Sequence, residues 1–201
     1  MNVLDGDFNK ARVAAIALLS TTGLPFIYYG EEIGMQGQKP DERIRTPMQW
    51  TGEATGGFTT GKPWETLQDD VEAVNMAAQD EDPGSLLNTY RTMIRLHRTH
   101  PALGAGAFTP LKASDGSVAA FLRRAEDETV LIVLNFGKSN KPGLMLSGEA
   151  TEVAAGTYQL TPLLGDTAGA PLVVGADGAI ADFVPLPELA AQSGYIFSLE
   201  Q

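Results

Sequence analysis

The hydrophobic rhythm of this chain changes once, near Gly106. Downstream, SVAAFLRR (117–124) and ETVLIVLNF (128–136) alternate or run apolar over strand lengths, joined by the turn-rich AEDE. Upstream, apolar residues recur at three- and four-residue intervals or at none. A period of two places side chains on the two faces of a sheet, and a period of 3.6 places them on one stripe of a helix. No single element type serves both halves. The spacing therefore predicts two domains, residues 1–104 and residues 105–201, with the boundary inside 102–106. Further short strands are expected near 143–146, 151–154, 157–163, 179–184 and 194–199, separated by Gly, Pro and Asp. That pattern reads as an antiparallel β-sandwich of about eight strands. No internal repeat is evident.

The first half reads differently. NKARVAAIALLST (9–21) is rich in helix formers and unbroken until Gly23. FIYYG (26–30), after Pro25, is short, aromatic and β-branched, which predicts a buried strand. Helix, turn and strand make half of a βαβ unit, so a parallel sheet is expected. GSLLNTYRTMIRLHRT (84–99) predicts a helix capped by Ser85, with Leu86, Tyr90, Met93, Ile94 and His97 on one face. Pro101 and Gly104 are expected to end it. Between the helices, residues 31–83 show little periodicity and many glycines and prolines. Segments that long without regular structure are functional or disordered. Trp50, Phe58 and Trp64 argue against disorder.

Bulk properties narrow the partners. The chain has 201 residues, 43% of them hydrophobic and 19% charged, a composition that folds. Its net charge of −11 argues against nucleic acid and against anionic membrane surfaces. With no cysteines, disulfides and thiolate metal sites are excluded. The start, MNVLDGDFNK, is too acidic and polar for a signal peptide, and VAAIALL (13–19) is too short to span a bilayer. A soluble, cytoplasmic protein is expected. The only histidines, His97 and His100, are three apart on one helix, but no third metal ligand suggests itself. Neither metal nor cofactor is expected.

The chemistry concentrates in DERIRTPMQW (41–50). Polar groups converging beside one flat aromatic suit a sugar. The Arg45 guanidinium is a planar fork of donors that matches vicinal hydroxyls or a carboxylate. Gln49 offers an amide, and Trp50 an aromatic face for the C–H side of a pyranose. Trp50 and Trp64 equally fit a packing role, wedging the long loop in place, a role favoured for Trp64. Arg43 reads as a surface or loop ion-pair partner. Glu31 and Glu32 directly follow the expected strand, and either face the sugar or anchor the loop. Asp41 and Glu42 are further carboxylates in the same region, with no spacing that fixes their separation.

FIYYGEEIGM, DERIRTPMQW and GFTTGKPWE, followed in order by VNMAAQDEDPGSLLNTYRTMIRLHRTHPAL and ETVLIVLNF, resemble glycoside hydrolase family 13, in its oligo-1,6-glucosidase and α-glucosidase branch. The resemblance implies an α+β chain: the last helix-strand-helix portion of a (β/α)8 barrel followed by an antiparallel β-sandwich. Residues 9–21 would be the seventh barrel helix, 25–29 the eighth strand, 84–100 the eighth helix and 106–201 the sandwich. It also implies retaining cleavage of α-glucosidic bonds in short oligosaccharides, with Arg45 reaching the sugar and Glu31 beside it. That mechanism needs two carboxyl groups roughly 5–5.5 Å apart. In the family these follow the fourth and fifth strands, and a further aspartate sits in an Asn-His-Asp motif after the seventh. All three would lie upstream of the first residue here, as would the family's calcium loop, and no Asn-His-Asp occurs in the sequence. The expectation is a segment that is inactive alone or binds α-linked gluco-oligosaccharide weakly. It is expected to associate with itself or with a complementary barrel portion, because a lone barrel strand has two unpaired edges. Two alternatives are a truncated but active glycosidase using Glu31, Glu32, Asp41 or Glu42, and a structural β-sandwich without activity.

Overall fold

The computed structural model describes residues 4–201, so the first three residues of MNVLDGDFNK lie outside the described residues. The chain divides into two compact units, one of Met1–Ala15 with Leu24–Met93, the other of Ile16–Gly23 with Ile94–Gln201.

Helix α1 spans Phe8–Ser20. Asp7 starts it, its Oδ1 accepting from the backbone N–H groups of Asn9 (2.9 Å) and Lys10 (3.2 Å). Gly23, at φ +106°, turns the chain out of it. The expected buried strand after Pro25 is not there. Residues 24–28 have no regular structure and pair with no strand among the described residues. Leu24 is 84% exposed and Phe26 83%. The local sequence is strand-like, but a buried strand requires ladder partners on its edges and layers on its faces, and none is present among the described residues.

The long stretch that follows is ordered without being regular. It contains 3₁₀ turns at Glu31–Ile33 and Asp41–Ile44 and the short helix α2, Met76–Asp80. Buried side chains supply the hydrogen bonds that a ladder would otherwise give. Gln79 donates to the Ile33 carbonyl (2.7 Å) and accepts from the Leu87 N–H (3.1 Å). Asn75 caps α2 by accepting from the Ala78 N–H (2.8 Å). Ile33, Met48 and Leu87 form a small apolar cluster beneath them.

Helix α3, Leu86–Thr99, is capped as expected, Ser85 Oγ accepting from the Asn88 N–H at 3.1 Å. Its buried face is Leu86, Leu87, Tyr90, Met93 and Leu96, while Ile94 is 37% exposed. At its N-terminal end the helix buries one flank of the stripe (Leu87) and at its C-terminal end the other (Leu96), which leaves Ile94 out. Pro101 does more than stop α3: it occupies the first turn of a new helix, α4, Pro101–Ala105.

The remainder is antiparallel β. The strands are β1 (Ala107–Ala113), β2 (Val118–Arg124), β3 (Thr129–Asn135), β4 (Lys141–Pro142), β5 (Leu146–Gly148), β6 (Gly156–Leu164), β7 (Gly169–Val174), β8 (Ile180–Phe183), β9 (Glu188–Leu189) and β10 (Ser193–Glu200). The expected two-sheet sandwich appears instead as one eight-stranded sheet in the order β7-β6-β10-β3-β2-β1-β5-β8, with β4 and β9 paired separately. The terminal strands of that order, β7 and β8, are joined by a turn closed from the Gly175 N–H to the Ala179 carbonyl (2.9 Å), so the sheet nearly closes on itself. Leu131, Val133, Leu160, Leu172 and Phe197 belong to the core it encloses. No strand forms at 151–154, where Glu152 adopts φ +58°. β1 and β7 were not foreseen, since each carries a proline. Pro110 pairs with Phe121 of β2, and β5 reaches β1 only at Lys112 and Ala113, so its missing N–H is not needed. β7 is a terminal strand of the sheet order.

β3 is buried on both faces. The face opposite the enclosed core meets helical residues of the same unit. Ile16 packs so close to Gly194 and Leu134 that a Cβ on Gly194 would fall 2.8 Å from Ile16 Cδ1. Arg123, within a stretch that reads as ordinary strand, is fully buried here. Its guanidinium donates to the carbonyls of Ser20 at the end of α1 (2.7 Å) and Gly106 (3.0 Å). It thereby satisfies the last carbonyl of a helix C-terminus. Burial lowers its pKa from the ordinary value.

Candidate functional site

The site is built on the reversal that follows the unpaired residues 24–28. Gly30 turns at φ +83°, and a Cβ there would sit 2.5 Å from Met35 Sδ. Gly34 turns back at φ +82°. The 3₁₀ turn between them orients two carboxylates differently. Glu31 Oε1 accepts from the Tyr90 hydroxyl at 2.9 Å, a loop-anchoring contact. Burial, and then the Glu31 and Glu32 carboxylates, push the Tyr90 phenol above its ordinary range, so it stays a donor. Glu32 has its Oε2 buried with no hydrogen-bond partner. Its side chain lines a cavity of about 340 Å³ with Tyr29, Arg45, Trp50, Phe58 and Trp64.

The Trp50 wall is held by backbone. Trp50 and Thr51 donate to the Gly56 carbonyl (2.8 and 3.0 Å), and the Trp50 carbonyl accepts from Ala77 (3.0 Å). Gly56 and Gly57 allow that tight closure at φ +61° and +65°. The fixed backbone leaves the Trp50 ring 44% exposed and Trp64 61% exposed. Trp64, expected as a wedge, is thus a cavity wall, and Tyr29 and Phe58 were not foreseen in that role. The Tyr29 hydroxyl donates to the Thr46 carbonyl at 3.1 Å. The signal for these aromatics was in the sequence, in the glycine pairs and turns that flank them.

Arg45 has spare donors. Its ion pair with Asp41 is long, 3.8 Å, with both side chains mostly solvated. Asp41 and Glu42 lie on the turn before it and do not line the aromatic cavity. Gln49 is placed elsewhere than a sugar-facing amide requires. It is fully buried, its Nε2 donates to the Val74 carbonyl, and it does not line the cavity. The reason is local: Gln49 fastens the loop from inside, which frees Trp50 to face outwards. The histidines are structural. His97 Nδ1 lies 2.9 Å from the Leu19 carbonyl. His100 Nδ1 lies 2.5 Å from Glu128, whose other oxygen accepts from the Ala102 N–H at the start of α4 (2.9 Å). Among the described residues, no cluster of His, Cys, Asp and Glu could hold a metal ion, and no helix is long and apolar enough to cross a membrane.

Three aromatic rings, a tyrosine, one guanidinium and one carboxylate around this volume suit a neutral ring with an apolar face and a polar rim. A single carboxylate does not make the acid and nucleophile pair of glycoside hydrolysis.

Residues 3–106 match the alpha amylase catalytic-domain family. The trehalose synthase/amylase TreS of Mycobacterium tuberculosis is 39% identical over 155 residues, which is 70% of this chain and 26% of that protein. Alpha-amylase SusG of Bacteroides thetaiotaomicron is 38% identical over 138 residues, 64% of this chain and 20% of that protein. A probable oligo-1,6-glucosidase 2 of Bacillus subtilis is 29% identical over 173 residues, 67% of this chain and 31% of that protein. The chain thus spans about a quarter of the length of the first of these relatives. Among solved structures, the trehalulose synthase MutB from Pseudomonas mesoacidophila MX-45 superimposes with a TM-score of 0.69 at 24% identity, over 96% of this chain and 38% of that one, a likeness of fold.

Proposed function

The chain belongs to the alpha-amylase family, glycoside hydrolase family 13, and on that footing we propose that residues 26–64 form one wall of a site for α-linked gluco-oligosaccharides. The observation that carries this reading is the aromatic cavity. Trp50, Phe58 and Trp64 offer faces for a pyranose, Arg45 offers donors for its hydroxyls, and the Glu32 side chain lines the same volume. Glu31 supports the wall through Tyr90. Relatives named as trehalose synthase/amylase, alpha-amylase and oligo-1,6-glucosidase favour an α-glucosidic substrate.

In this reading these residues bind the sugar and do not cleave it, because one carboxylate lines the cavity where retaining cleavage takes two. Residues 1–104 then serve as barrel and 105–201 as an accessory β-domain. The unpaired residues 24–28, with Leu24 and Phe26 bared, pair with further barrel strands or with a second copy. The test is hydrolysis of p-nitrophenyl α-glucoside and maltotriose by the purified chain beside Arg45→Ala, together with calorimetric binding of the same sugars. Binding without turnover, lost in Arg45→Ala, is the expected result. Turnover abolished by Arg45→Ala or by Glu32→Gln would replace this reading with that of a self-sufficient glycosidase. Absence of binding would remove the sugar site altogether.

A further inference from the structure

Helix α3 carries an ordered polar face opposite its buried one. Asn88, Arg91, Arg95 and Arg98 recur at spacings of three, four and three, which sets them in one stripe along the helix. The three arginines are exposed, and α3 itself contains no acidic residue. Arg95 and Arg98 make no ion pair among the described residues.

Acid is fastened to the other end of the same stripe. Asp80, Glu81 and Asp82 lead into the helix, all three exposed. Asn88 Nδ2 donates to the carbonyls of Asp80 (3.1 Å) and Asp82 (2.8 Å), and its Oδ1 accepts from Arg91 (3.1 Å). Arg91 pairs with the Asp80 carboxylate at 2.5 Å. Asp82 Oδ1 accepts from the Gly84 N–H at 2.8 Å. These bonds hold the acidic loop over the first turns of the stripe. Glu81 makes no ion pair among the described residues.

The order of these charges selects the partner. One helix face is acidic at its N-terminal end and basic at its C-terminal end, with Arg91 neutralised by Asp80 between them. Nucleic acid or an anionic membrane would meet the acidic loop as well as the arginines, on a chain of net charge −11. A basic partner would meet Arg95 and Arg98. A second copy running antiparallel meets opposite charge at both ends, because a two-fold axis repeats each contact with the roles exchanged. Ile94, 37% exposed, adds apolar surface beside Arg91 and Arg95. We propose that α3 is a self-association surface, on which two copies pair antiparallel across a two-fold axis near Arg91, with Arg95 and Arg98 of each facing Asp80, Glu81 and Asp82 of the other. It uses none of residues 24–28 and does not rest on the sugar-site reading.

The test is sedimentation velocity of the full chain at protein concentrations up to about 0.5 mM, because exposed ion pairs are individually weak. A monomer–dimer equilibrium is expected for the wild-type chain. Arg95→Glu combined with Arg98→Glu should weaken it at least about tenfold. Glu81→Lys should weaken it too, although it lowers the net negative charge. Glu149→Lys, the same change of charge at an exposed position of the β-domain, should not. An equimolar mixture of the Arg95→Glu/Arg98→Glu chain with the Glu81→Lys chain should restore the dimer, since each reversed charge then meets its opposite. A wild-type chain that stays monomeric over the whole range would overturn the proposal, as would a mixture that stays monomeric. A dimer that survives every charge reversal would also overturn it, and would move self-association to residues 24–28.

Discussion

Residues 107–200 and residues 24–64 contain similar apolar stretches and treat them in opposite ways. ETVLIVLNF becomes β3, paired with β2 and β10 and buried on both faces. FIYYG has the same β-branched and aromatic character, yet it forms no strand and its four large side chains are exposed. The difference is not propensity. It is whether the chain supplies neighbours at the right separation. β2 is joined to β3 by a short turn, so local pairing is quick to close. The segment after Pro25 has no strand on either edge among the described residues.

The largest expected effect sharpens this contrast. Phe197→Ala removes a fully buried ring from the enclosed core and should cost about 4 kcal/mol in denaturant unfolding. Phe26→Ala removes an equally large ring from the exposed segment and should stay within about 0.5 kcal/mol. Equal losses would mean that the segment is packed in solution and that the contrast is false.

A smaller effect tests how helix and strand are held together inside the second unit. Arg123→Ala leaves the carbonyls of Ser20 and Gly106 without their donors and opens a cavity, for a loss of about 3 kcal/mol. Arg123→Met fills the space without a buried charge and should recover part of that loss. If Met is no better than Ala in the same melts, the hydrogen bonds rather than the volume carry the interaction.

The smallest effect appears in acid. Hydrogen bonds from Lys141 (2.7 Å) and then from Ser117 hold the Asp115 carboxyl well below its usual range. A carboxylate lowered in the folded state contributes stability above its unfolded pKa, near 4, and loses it as the pH falls towards the folded value. Wild type should therefore lose more stability than Asp115→Asn between pH 5 and about pH 3. Parallel losses would show that the Asp115–Lys141 turn contributes nothing.

The sequence was most legible where one rhythm sufficed. The helices at 9–21 and 84–99 and strands β2, β3 and β10 follow from period and caps alone. β1 and β7 escaped because Pro110 and Pro171 mask them, and a proline's tolerance depends on which edge is unpaired, which is a property of the sheet. Arg123 escaped for a related reason, since its partners lie 103 and 17 residues away. In the candidate site, DERIRTPMQW supplies Arg45 and Trp50 to the aromatic cavity but not Gln49. Adjacent residues diverge there: Gln49 turns inward to Val74, and Trp50 turns out. Which of two neighbours lines the cavity is fixed by the loop's own hydrogen bonds, and no periodicity encodes those.

The aromatic cavity is the centre of this account, and both tryptophans of the chain line it. Intrinsic tryptophan fluorescence therefore reports on that cavity. The most direct measurement is a maltotriose titration of wild type and Arg45→Ala followed by this signal. The account predicts a saturable change in wild type that is lost or shifted to much higher sugar concentration in Arg45→Ala. A calorimetric binding curve with no change in fluorescence, or a fluorescence response identical in the two proteins, would contradict it.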